Sequence, residues 1–214
     1  MFLRSTVLLI SLLVSPWLDA YSLSVEVLTK KDSKLVNAVV YLTSEQPLPP
    51  KSDNSVAHMD QINSQFVPHI LVVQRDTLVD FPNSDSIKHH VYSFSPAKTF
   101  ELQLYKDQQP EAVAFDKEGR VEMGCNVHDW MLGYIYVVDT PYFGKTDENG
   151  RITLDVPAGE YTVHVRNPRI KDDESTLVQK VNLTSNQNIT FKLKKKLLPS
   201  LELYEESDEF STYE

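Results

Sequence analysis

Cys125, His128 and Met131 stand in one short run, Gly124-Cys125-Asn126-Val127-His128-Asp129-Trp130-Met131-Leu132-Gly133, at the spacing C-x2-H-x2-M. Cys125 is the only cysteine of the chain. A thiolate is a soft ligand, an imidazole a borderline one and a thioether a weak one. Joined by a second imidazole, they make the His2Cys set with an axial Met that holds a single copper ion for electron transfer. Zinc would want more cysteines or histidines at finger-type spacings, and it takes a thioether poorly. The second imidazole must come from elsewhere in the chain, and Lys88-His89-His90-Val91 offers it. A lone cysteine is more often a small buried hydrophobe, and a lone methionine core filler. The flanking pattern separates the two readings.

Before the loop, Val113 to Met123 reads as strand, Gly-containing turn and strand; after it, Met131 to Val137 reads as an alternating strand. The three donors therefore sit where one strand hands over to the next. Aromatic and β-branched residues are plentiful, Gly and Pro are scattered, and no long apolar run of helical period follows the first twenty residues. That pattern predicts an all-β protein, and 214 residues allow one large or two small domains. A formal net charge of −9 argues against nucleic acid, because phosphate binding needs a basic face. It suits a chain that meets a basic partner.

The loop and its two strands resemble the cupredoxins, whose ligand loop joins the last two strands of a Greek-key β-sandwich. The resemblance runs back to residue 56. Phe66-Val67-Pro68-His69-Ile70-Leu71-Val72-Val73 is similar to an edge segment of that family, and Thr77-Leu78-Val79-Asp80-Phe81-Pro82-Asn83 to its next strand. In the plastocyanin and amicyanin type the first histidine ligand follows that Asn by six, which here is His89 and not His90. His90 then stands where those proteins usually have Asn. The loop spacing matches amicyanin, with Val127 and Asp129 in place of the prolines that flank its second histidine. The resemblance implies one copper ion, cycling between Cu(I) and Cu(II), held by His89, Cys125, His128 and Met131. It also implies that His128 is the port for electrons, with Trp130, Leu132 and Tyr134 around it.

A second pattern brackets this one. Leu23 to Thr29 and Val36 to Leu42 read as strands; Gln46 to Asn54, with Pro47, Pro49 and Pro50, reads as a linker. Downstream, Lys145-Thr146-Asp147-Glu148-Asn149-Gly150-Arg151-Ile152-Thr153-Leu154 reads as a hairpin, and a Pro-Ala-Gly turn leads into the strand Glu160 to Val165. These stretches resemble the transthyretin-like, carboxypeptidase regulatory-like β-sandwich, in which they are near neighbours. The expected organisation is a signal peptide (1–20), the first part of that sandwich (21–46), a linker (47–55), the cupredoxin as an insert (56–139), the second part (140–195) and an acidic disordered tail (196–214). An inserted domain owns its core, so 56–139 is expected to fold and bind copper alone. Chains combining these features are similar to bacterial proteins of the methylamine utilization or plastocyanin-like group. That name does not make methylamine a substrate.

Met1 to Arg4 form a positive n-region and Val7 to Val14 an apolar stretch too short to span a bilayer, with a cleavage site after Ala20. The expectation is export to the periplasm without stable membrane insertion after cleavage. Residues 201–214 hold six acidic residues and no basic ones, a solvated tail. His58, His69 and His164 are isolated in sequence and read as ordinary histidines rather than ligands. The expected role is a one-electron carrier between a protein donor and a protein acceptor, not an enzyme. Copper delivery, storage or sensing, and service as an accessory subunit of an oxidase or dehydrogenase, stay open beside it.

Overall fold

The computed structural model describes residues 20–51, 55–106 and 110–200. The apolar N-terminal stretch and the acidic segment 201–214 lie outside the described residues. Two strands come first, β1 (Ala20–Leu28) and β2 (Val39–Thr43). Ten follow: β3 (Val56–His58), β4 (Asp60–Ile62), β5 (Gln65–Val67), β6 (Ile70–Gln74), β7 (Thr77–Asp80), β8 (His89–Ser95), β9 (Lys98–Tyr105), β10 (Val113–Phe115), β11 (Gly119–Gly124) and β12 (Leu132–Val138). The last five are β13 (Phe143–Lys145), β14 (Arg151–Pro157), β15 (Gly159–Arg166), β16 (Val178–Leu183) and β17 (Gln187–Lys192). A single 3-10 turn, Glu174–Thr176, is the only helical element among the described residues. No helix there is long and apolar enough to cross a membrane. The protein is all-β and built of β-sandwiches.

The first and last parts of the chain share two sheets, ordered β14-β1-β17 and β13-β2-β15-β16. Period-two alternation makes their core. Leu23, Val25 and Val27 point inward from β1, and Tyr161, Val163 and Val165 meet them from β15. The stretch read as a hairpin around Asn149-Gly150 is not one, because β13 and β14 belong to different sheets. Asp147 makes the turn: its Oδ1 accepts from the backbone N–H groups of Asn149 (2.9 Å) and Arg151 (2.8 Å). Gly150 supplies the left-handed φ of 67° that sends the chain across to the other sheet.

The middle of the chain builds a five-stranded sheet, β6-β12-β11-β8-β9, facing a smaller one, β10-β7-β3. The β4-β5 hairpin adds a third, short ladder. The segment read as one edge strand from Phe66 to Val73 divides at Pro68, which has no N–H to give to a ladder, into β5 and β6. Phe66, Phe81, Phe115, Val121, Met123 and Ile135 fill the interior between the sheets.

β12 was expected to alternate, yet it is buried almost throughout. Ile135 and Val137 point into the interior just described, while Tyr134 and Tyr136 pack with Ile70 and Val39 in a separate apolar seam. Val39 lies on β2, so the seam joins the two halves of the fold. Lys145 Nζ crosses it to donate to the carbonyl of Ile70 at 2.7 Å. A strand covered on both faces needs apolar residues at both parities, and Leu132-Gly133-Tyr134-Ile135-Tyr136-Val137-Val138 supplies them.

Candidate metal centre

β11 and β12 are antiparallel neighbours whose last rungs are Met123 with Gly133 and Gly124 with Leu132. Residues 125–131 close the gap between them, so Cys125 and Met131 leave the ladder at one rung. The loop is tied internally: the N–H of Met131 donates to the carbonyl of His128 at 3.0 Å, and the N–H of Val127 donates to Cys125 Sγ at 3.4 Å. Cys125 and Met131 are both buried, at 4% and 1% exposure, in the same core as Phe66 and Phe81.

β8 brings the histidines alongside. Tyr92 pairs with Gly124, and its ring covers that glycine so closely that a Cβ there would lie 2.9 Å from the Tyr92 hydroxyl oxygen. Glycine before Cys125 leaves room for that ring. Asn83 fixes the entry to β8. Its Nδ2 donates to the carbonyls of Ile87 (3.0 Å) and Tyr105 (2.9 Å), and its Oδ1 accepts from the N–H of Asp85 (3.0 Å). Tyr105 is the cross-strand partner of His89, and a register shift falls between His89 and Val91. The neighbours part company there. His89 is fully buried, whereas His90 turns its Nε2 to Glu101 Oε1 at 2.8 Å.

The donor atoms of His89, Cys125 and His128 all lie within 4.8 Å of one another. Cys125 Sγ is 3.9 Å from His89 Nδ1. The ring centroids of His89 and His128 are 5.0 Å apart, and Trp130 lies 5.2 Å beyond His128. One thiol and two imidazoles converge, with Met131 buried in the same core as Cys125; such soft and borderline donors fit copper and fit harder cations poorly.

Asp85 completes the surroundings of His89. Its Oδ2 is 2.6 Å from His89 Nε2 and 2.8 Å from the Ser64 N–H, and its Oδ1 is 2.6 Å from the Asn63 N–H. Burial pushes the Asp85 carboxyl upward, but the bonds from Ser64, His89 and Asn63 outweigh it and hold the group below the usual carboxylate range. Asp85 is not among the site residues expected from the sequence. The available signal was the spacing Asp-x3-His at the start of β8.

The remaining histidines lie elsewhere. His58 pairs with Asp80, His69 sits edge-on to Tyr134 at 5.4 Å, and His164 stacks on Tyr41 at 4.6 Å. Of the residues expected around His128, Trp130 is exposed and Leu132 half-buried, but Tyr134 is not at that surface. It faces the seam, because β12 is covered on that side too. Val127, half-exposed in the loop itself, takes its place as an apolar neighbour.

Neither a protein-family model nor a curated protein sequence matches the chain. Among solved structures it is similar to a Cu-containing nitrite reductase from Thermus scotoductus SA-01, at 19% identity and a TM-score of 0.37. That match covers 42% of this chain and only 25% of the reductase. It is also similar to amicyanin from Paracoccus versutus (18% identity, TM-score 0.36, 46% of this chain and 97% of that one). A reduced amicyanin mutant gives 19% identity and a TM-score of 0.37 over 46% of this chain and 98% of that one.

Proposed function

We propose that this chain is a mononuclear copper protein of the cupredoxin type, held outside the cytosol, that passes single electrons between protein partners and is not itself an enzyme. The observation that carries the reading is the convergence of His89, Cys125 and His128 within 4.8 Å, with Met131 buried in the same core as Cys125. Copper bound there would supply a one-electron couple. The chain's own residues do the rest. Cys125 would hold the ion as thiolate, His89 and His128 as neutral imidazoles, and Met131 as a weak thioether donor. The short loop limits how far three of the donors can separate, which favours a small rearrangement between oxidation states. His128 and Trp130 give the site its edge toward solvent, where a donor or acceptor can approach.

Periplasmic location is proposed from the N-terminal residues, whose positive start and short apolar run read as an export signal. The segment 56–139 is proposed as the copper domain. It would be inserted into a carboxypeptidase regulatory-like sandwich that carries no ligand of its own and serves a structural or adhesive role.

Titrating the purified full-length chain with copper tests this reading. One equivalent should give an intense thiolate-to-copper band in the visible, a narrow copper hyperfine splitting in paramagnetic resonance and a reversible one-electron wave. Tight Cu(I) binding with loss of metal on each redox cycle would instead identify a protein of copper delivery or storage. Absence of the visible band at full loading would overturn the assignment.

A further inference from the structure

His89 is fully buried with one ring nitrogen toward Cys125 and the other against Asp85. A buried imidazole with two polar ends has to choose a tautomer, and only one leaves a lone pair for a metal on the Cys125 side. The surroundings of Asp85 make that choice.

Asn63 and Ser64 form the turn of the β4-β5 hairpin, and both have left-handed φ, 52° and 54°. Consecutive residues in that conformation aim their N–H groups to one side, which suits an anion. Both N–H groups here donate to Asp85, at 2.6 Å to Oδ1 and 2.8 Å to Oδ2. A hairpin turn of two polar residues between Ile62 and Gln65 would otherwise face solvent. Here it is spent on a carboxylate whose side chain is only 12% exposed. An ionised carboxylate only accepts hydrogen bonds. The 2.6 Å contact with His89 Nε2 therefore requires the proton to sit on Nε2, which leaves the lone pair on Nδ1, the atom 3.9 Å from Cys125 Sγ.

We propose that Asp85 is a positioning residue that fixes the tautomer and orientation of His89 before metal arrives, and that the Asn63-Ser64 turn holds Asp85 for this task. The inference builds on the copper reading above but concerns the metal-free protein first. Asp85 acts in a second way once metal is bound. A carboxylate on the far side of an imidazole makes it a better donor, and the higher-charged ion gains more from this. Asp85 thus favours Cu(II) over Cu(I).

The test begins with the metal-free full-length protein and needs no variant. Long-range nitrogen–proton correlation spectra above the imidazole titration range should show His89 as the Nε2–H tautomer alone. Finding Nδ1–H there would overturn the inference, whatever the protein does with copper. Asp85→Asn keeps the shape but turns one acceptor into a donor. It should populate the Nδ1–H form and weaken Cu(II) binding by about 10–100-fold, with a smaller loss for Cu(I) and a raised potential. Equal losses for the two ions with an unchanged tautomer would mean that Asp85 only supports the fold, and would also overturn the inference. Should Asp85→Asn fail to fold, Asp85→Ala, which removes the acceptor without adding a donor, should likewise lose the single Nε2–H tautomer and weaken Cu(II) more than Cu(I). A wild-type protein that shows the Nε2–H tautomer yet binds no copper would leave the positioning intact and remove the function proposed above.

Discussion

His89 Nδ1 and Cys125 Sγ come to 3.9 Å of each other across 36 positions of chain. Two local devices bring them there. Gly124 lets Tyr92 close over the strand that delivers the cysteine, and Asn83 ties the start of β8 to the carbonyl of Tyr105 at 2.9 Å, opposite His89. Neither device touches metal. Both decide whether a thiol and an imidazole can share one.

The two adjacent histidines should therefore behave differently. His89→Ala should abolish the intense visible band of the copper form, since a donor within 4.8 Å of the others is lost. His90→Ala removes the contact with Glu101, whose side chain is 59% exposed, and a ring contact with Tyr92, and should leave the band in place. Absorption spectra of both variants at full copper loading decide the matter, and a band surviving only in His89→Ala would reverse the assignment.

Cys125 and Met131 are buried in the same core but should not be equivalent. Cys125→Ser should eliminate the band, because a hydroxyl does not replace a thiolate. Met131→Gln should keep copper and lower the potential, as an oxygen donor favours Cu(II) more than a thioether does. Because Met131 is buried, the same change should also cost about 1–3 kcal/mol of stability from burying an amide. Voltammetry and urea unfolding read the two effects separately, and an unchanged potential would remove Met131 from the site.

Much of the site was legible because the spacing of Cys125, His128 and Met131 is local, and a loop between strands of strong β pattern confines it. All-β structure was legible for the same reason: alternation in β1 and β15 is a one-dimensional signal. What joins distant segments was not. β12 looked alternating because Tyr is amphipathic and reads as either face, so the seam that buries Tyr134 and Tyr136 against Val39 left no pattern of its own. Asp85 was passed over because its partners, Asn63 and Ser64, belong to a hairpin whose strands are only three residues long, too short to show a period.

The seam changes what the isolated segment 56–139 should do. Residues 56–139 contain the interior around Phe66, Phe81 and Phe115, so the fragment should fold and take up copper. Cut from the rest, however, it uncovers Ile70, Tyr134 and Tyr136, a contiguous apolar surface of the kind that associates. Sedimentation should show the fragment self-associating with concentration while the full chain does not. Adding Ile70→Lys and Tyr136→Glu should restore a monomer. A wild-type fragment that stays monomeric at high concentration would show the seam to be a weak contact.

The other side of that seam predicts an acid response independent of metal. His164 lies flat on Tyr41, with an interplanar angle of 6°, and its Nε2 meets Thr43 Oγ1 at 2.8 Å. Burial, and then the nearby Arg166 guanidinium, lower its pKa to about 4. The folded pKa is depressed below the unfolded value of about 6.5. Above that unfolded value the ring is neutral in both states and contributes no slope. As pH falls from about 6.5 toward 4, the unfolded chain takes a proton that the folded one refuses, so stability declines. Below the folded pKa both states carry the proton and the loss levels off. The ring is only half-buried, so solvent screening reduces the effect to about 1–2 kcal/mol. His164→Gln keeps a partner for Thr43 and removes the titrating group. Urea unfolding of the metal-free proteins at about pH 7 and about pH 5 should show a smaller acid loss in the variant than in the wild type. Equal losses would place the acid sensitivity in the carboxylates, and the stacked His164 would then be a packing residue whose neutrality in the folded state has no effect on stability.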